Sequence, residues 1–147
     1  MRKILTDVME RLRERVTELR YVADDWGQMD FYEGTPPVKF PCALVSVSRV
    51  SFEAQTEGVR WATMTLLVRV ADAPALSGTM AAPEAHKERA LFIFDLIDRV
   101  GDALHGMGGD DYDPMEQREV THYSREDAVR EYAMTFETRF ALTQEGE

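Results

Sequence analysis

PEAHKERALFIFDLIDRVGDAL, residues Pro83 to Leu104, is the stretch around which the rest of the chain arranges itself. Pro83 and Glu84 suit the first turn of a helix, where proline's missing N–H is not needed and a carboxylate meets the positive end of the dipole. Ala90, Ile93, Phe94, Ile97, Val100 and Leu104 recur at three- and four-residue spacing, and Gly106 offers a stop. Ala90 to Phe94 is apolar nearly all round, whereas a surface helix keeps one apolar stripe. This spacing predicts a helix lying on a sheet, with further cover on its flanks.

The sheet is supplied from both sides. Downstream, Tyr132, Met134, Phe136, Thr138, Phe140 and Leu142 alternate with Glu131, Ala133, Thr135, Glu137, Arg139 and Ala141, the period of a half-buried strand. Ile93, Phe94 and Ile97 are expected to pack on Met134, Phe136 and Phe140. A shorter strand is expected around Arg118 to Tyr123. Upstream, Cys42 to Phe52 and Val59 to Ala71 form a long hairpin, about residues 42–71, turning at the polar run Ala54 to Gly58. On the first arm Leu44, Ser46, Ser48, Val50 and Phe52 share a face, and its first half is apolar on both sides. On the second arm Ala62, Met64, Leu66, Val68 and Val70 face the core. Trp61, Thr63, Thr65, Leu67 and Arg69 face away.

Further out, Leu5, Val8, Leu12, Val16 and Leu19 predict an amphipathic helix over Lys3 to Val22. Ala23 to Phe40 reads as irregular, with Trp26, Phe31 and Tyr32 pinning it down and Pro36-Pro37 forbidding regular structure. Asp72 to Ala82 reads as a loop, and residues 143–147 as a frayed acidic tail. The element order is α-β-β-α-β-β. It predicts an α+β two-layer sandwich: a mostly antiparallel sheet of about four strands with two helices packed on it, as one domain over residues 1–147.

Composition narrows the function. At 147 residues and 44% hydrophobic content the chain suits one globular domain. A formal net charge of −10 argues against tight nucleic-acid binding, which needs a basic footprint. Cys42 is the single cysteine, so neither an intrachain disulfide nor a cysteine-based zinc site is expected. No apolar run approaches a membrane span, and the N-terminus leads straight into a charged helix without a secretory segment.

Candidate chemistry is sparse. His86 and His105 lie roughly 28 Å apart at ~1.5 Å per helical residue, too far to share a metal, and His122 falls on a strand. Asp110, Asp111 and Asp113 lack the ligand spacing of an EF-hand, and a solvated turn explains them better. Asp95, Asp98 and Asp102 fall at helical spacing opposite the core stripe, which suits a solvated or partner-meeting face. Nucleophile-elbow, phosphate-loop and dinucleotide-binding motifs are missing from the sequence. No enzyme activity, cofactor or metal is expected.

Taken whole, the layout resembles the tail terminator or tail-completion (head–tail joining) proteins of long-tailed bacteriophages and prophages. The resemblance rests on the helix Ile4 to Leu19, the segment Pro36-Pro37-Val38-Lys39-Phe40-Pro41 leading into Cys42 to Val47, the hairpin turning at Gly58, the helix Pro83 to Leu104 and the closing strand Tyr132 to Leu142. It implies a structural protein of the virion tail, assembled in the bacterial host cytoplasm. Such proteins form rings, commonly hexameric, that cap the tail tube and meet a head–tail connector, and DNA passes through without specific binding. On the outward face of the hairpin Trp61, Thr63, Leu67 and Arg69 are the expected subunit contacts, because tryptophan and arginine favour interfaces. Two other readings stand beside this one. One is a small-molecule-binding domain with a cleft near Trp26 and Tyr32. The other is an adaptor whose acidic surface meets a basic partner.

Overall fold

The computed structural model describes residues 1–30, 37–53, 58–74 and 78–143. Its elements are α1 (Arg2–Arg15), β1 (Tyr21–Asp24), β2 (Cys42–Phe52), β3 (Val59–Asp72), α2 (Glu84–Ala90), α3 (Phe92–Leu104), β4 (Glu116–Tyr123) and β5 (Arg130–Thr143). The fold is α+β, but with a five-stranded sheet of order β1-β2-β3-β5-β4 in place of the expected four strands, and three helices in place of two. The turn residues 54–57 and the tail residues 144–147 lie outside the described residues; Thr143 is the last residue of β5.

The fifth strand comes from a helix that ends early. Helical periodicity continues to Leu19, yet α1 stops at Arg15, with Val16 as its cap. Val16 keeps its buried place, and Tyr21–Asp24 then pairs in parallel with Cys42–Val45. Tyr21 and Val22 are β-formers, and an apolar strand was available to pair with. All other pairings are antiparallel: β2 with β3, β3 with β5 and β5 with β4.

The expected helix Pro83–Leu104 is broken at Leu91 into α2 and α3. In an unbroken helix the Ala90 carbonyl would accept from the Phe94 N–H. Instead Arg130 Nη1 donates to that carbonyl, and the Phe94 N–H turns to Leu91 O at 3.1 Å. A distant arginine thus takes the acceptor of one rung of the helical ladder at the point where α2 and α3 divide. Gly106, at φ 80°, stands just past the end of α3 where a left-handed residue was expected.

Helices α1 and α3 cover one face of the sheet. Ile4, Val8 and Leu12 from α1 and Ile93, Leu96, Ile97 and Val100 from α3 share a core with Met64, Leu66, Val68, Met134, Phe136 and Phe140. Phe94 is a correction: it is 46% exposed, with its ring centroid 5.5 Å from that of Tyr132 on β5, and is not part of the buried core. The loop after α3 keeps Asp110, Asp111 and Asp113 exposed as expected, but Met107, Tyr112 and Met115 close the end of the core. Paired backbone bonds hold that loop, Gly106 N–H to Met115 O and Met115 N–H to Met107 O, each at 2.7 Å.

A β-bulge interrupts β2 between Val47 and Arg49. One extra residue exchanges the faces of everything beyond it. Val50 and Phe52, expected beside Leu44 and Ser46, therefore pair with Met64 and Ala62 on the helical side, and Val50 packs against the main core.

Candidate functional site

The sheet's second face carries a smaller core. Met29, Cys42, Leu44, Ala71 and Val129 are buried together, with Tyr21, Ala23, Val38 and Phe40 packed around them. The segment following β1 folds back over the apolar first half of β2. Gln28, fully buried, fixes its turn by accepting from the Trp26 N–H at 2.9 Å and donating to Asp24 O at 2.9 Å. Trp26 itself is exposed, so it does not pin the segment as expected; Phe31 and Tyr32 lie outside the described residues.

An ionic cluster seals this core, with Arg69 at its centre. The side chain expected to be an exposed interface contact has only 8% of its surface exposed. Arg69 Nε and Nη2 donate to the two oxygens of Glu131 at 2.8 and 3.0 Å. Its Nη1 donates to Asp25 at 3.1 Å and to Asp30 at 2.8 Å, and Nη2 reaches the other Asp30 oxygen at 3.1 Å. That occupies every N–H a guanidinium has. Arg125 is committed as fully: to both oxygens of Asp127 (2.9 and 2.6 Å), to Asp30 (3.1 Å), to Glu131 (2.8 Å) and to Met29 O (2.6 Å). Two arginines so engaged clamp the segment 25–30 and the 125–131 region onto β3.

The electrostatics follow from the geometry. The Asp30 carboxyl is held below the usual carboxylate range, first by its hydrogen bond from Arg69 and against the opposing effect of burial. The Cys42 thiol, its Sγ 3.7 Å from the Met29 sulfur, is pushed up to about 12, chiefly by burial. A thiol in that state is a poor nucleophile at neutral pH. Beside the cluster lies an open depression of about 470 Å³ lined by Met29, Asp30, Tyr123, Arg125, Glu126 and Asp127. Its Arg125 is already saturated by partners, and Arg69 stacks at 5.6 Å from the Tyr123 ring centroid. Among the described residues no group of three metal-ligating side chains gathers, and no buried side-chain polar atom lacks a partner.

The other expected contact residues lie elsewhere on the same face. Trp61 is half-buried under Arg139, whose guanidinium sits 4.1 Å from the ring centroid and grips Glu53 at 2.8 and 3.0 Å. Thr63 borders a shallow hollow with Glu137 and Arg139, and Leu67 is half-buried. Trp61, Thr63 and Leu67 thus share a sheet face that no described helix covers, while Arg69 belongs to the sealed end. The signal in the sequence was the first half of β2, apolar on both sides; the observed register sets Arg69 opposite Leu44, inside that half. Its partners were not legible, since Asp25, Asp30 and Glu131 reach it only through loop and topology.

No protein-family model matches the chain, and no curated protein matches it. Among solved structures, a chain in the virion of a native gene transfer agent (GTA) particle aligns over 92% of this chain and 92% of its own, with a TM-score of 0.55 and 16% sequence identity. The two chains are similar in fold. At that identity the likeness bears on architecture from end to end, not on individual residues.

Proposed function

We propose that the chain is a non-catalytic structural subunit of a phage-type particle, a tail terminator that closes the tail tube as an oligomeric ring, hexameric in the family it resembles, and joins it to the head. The observation that carries this reading is the correspondence in fold with a gene transfer agent virion chain over 92% of both chains. The polar chemistry agrees with it, because the buried ionic groups are spent on one another and hold a loop in place.

The hairpin arms, 11 residues in β2 and 14 in β3, exceed the ordinary strand length of about five to six, and Ser48, Arg49, Ser51 and Phe52 are exposed. Such an extension suits contact with neighbouring virion proteins. Trp61, Thr63 and Leu67, the expected subunit contacts, lie on the open sheet face and are proposed to meet a neighbouring virion subunit. The net charge of −10 suits a conduit that DNA crosses without being retained.

Sedimentation velocity on the purified chain, alone and with isolated tail tubes, tests the proposal. The expected result is a ring-sized species, or capture by the tube ends seen by electron microscopy. A chain that stays monomeric at high concentration and leaves tube ends open would overturn it.

A further inference from the structure

The sheet is open, and its two margins differ. One margin is β4, whose residues are nearly all exposed. Above it, on the helical side, Phe94 and Val120 are 46% and 43% exposed, an apolar strip beside the edge. Asp98, one turn beyond Phe94, lies on the same flank of α3; Asp95 and Asp102 are also exposed, Asp102 toward α1 in a hollow with Arg15, Glu18 and Arg99. None of these aspartates has a hydrogen-bond or ion-pair partner among the described residues. The inner flank of α3 is occupied by α1, through Arg99 with Glu18 and through Arg11 Nε donating to Ala103 O at 3.0 Å.

The opposite margin is β1 with α1 above it. Asp7 and Arg11 face inward, Asp7 accepting from Tyr112 at 2.9 Å. Leu5, Met9 and Arg13 are offset from that stripe by two residues, roughly 200° around the helix, and so form the outer flank. Leu5 and Met9 are half-buried, while Arg13 is exposed and has no partner among the described residues. One margin is therefore apolar with free acids, and the other apolar with a free base.

We infer that the β4–α3 margin of one copy docks on the β1–α1 margin of the next, so that a second copy of this chain is the occupant of the exposed edge. The inference rests on the ring reading above and specifies its contact. With the helical layers on the same side, β4 meets β1 of the neighbour antiparallel, because β1 runs opposite to β3, and β3 and β4 are both antiparallel to β5. Backbone pairing then continues from copy to copy. The inner contacts set Arg11 level with Ala103 and Glu18 level with Arg99, so Arg13 arrives level with the turn Asp98–Asp102 of its neighbour. Because the two margins are different surfaces, the contact is heterologous, the kind that closes into rings of more than two.

Charge reversal separates this from other arrangements. Asp98→Arg and Arg13→Glu are each expected to lower the assembled fraction in sedimentation velocity at least tenfold, with far-UV and near-UV circular dichroism unchanged. The paired variant Asp98→Arg with Arg13→Glu is expected to recover most of it. Val120→Lys, which charges the strip beside the edge, is a second disrupting variant should either reversal disturb folding. If the parent forms rings and all these variants form them equally well, this contact is wrong while a ring by another face survives; a parent whose assembly halts at a two-fold dimer overturns the ring reading and this contact together. A parent that never assembles, alone or on tail tubes, overturns the ring reading and this contact with it.

Discussion

Arg69 and Arg125 decide what this protein can tolerate at the residue scale. Glu131 is fully buried between them, so removing Arg69 leaves a buried carboxylate short of a partner. Breaking such a pair typically costs about 3–5 kcal/mol. Arg69→Ala is expected to lose that much in urea denaturation, and Arg69→Glu, which sets a further carboxylate among Asp25, Asp30 and Glu131, is expected not to fold. An exposed arginine would have allowed either change without loss. Asp30 gives the pH dependence. Its carboxyl is depressed in the folded state, so its contribution is present above the unfolded value near ~3.9 and is lost as pH falls through the folded one. Melting temperature against pH should drop steeply below about pH 4, and Asp30→Asn should flatten that limb. An Asn variant with an unchanged acid limb would assign the fall to other groups.

At the scale of elements, the two faces of α3 carry opposite expectations. Phe136 of β5 is fully buried beneath it, and Phe136→Ala is expected to cost about 3–5 kcal/mol by leaving a cavity. Phe94, half-exposed at the margin, should cost well under half as much when truncated, although its sequence spacing marks it equally as core. Thermal unfolding of both variants checks the contrast. Phe94 stands about 100° round the helix from Ile93, at the side of a buried stripe centred on Ile93, Ile97 and Val100. The bulge after Val47 hands Val50 and Phe52 to the helical side of the sheet. Simple spacing gives no warning of the break at Leu91 or of this bulge, since one is a single helical hydrogen bond diverted and the other a single extra residue in the ladder.

The whole molecule has two cores on opposite faces of one sheet, one under helices and one under a clamped segment. They should come apart separately. Met29→Ala, which hollows the smaller core, is expected to expose the Cys42 thiol to a colourimetric thiol reagent while helical circular dichroism persists; the parent thiol, raised to about 12 and buried, should react only on global unfolding. Labelling that tracks helix loss in both proteins would mean a single cooperative unit.

Local periodicity was enough to establish the buried stripe Ile93, Ile97 and Val100 of α3, the core face of β3 and β5 and the burial of the first half of β2. Each of these depends on side-chain spacing along one segment, which the chain carries in its order of residues. The fifth strand, the broken helix, the bulge and the buried ionic cluster depend on partners brought in from far along the chain. Tyr21–Asp24 became a strand because β2 offered an edge, Ala90 lost its helical partner because Arg130 arrived, and Arg69 was buried because Asp25, Asp30 and Glu131 converged on it. Spacing records which side of an element a residue occupies; only the assembled fold determines what waits on that side.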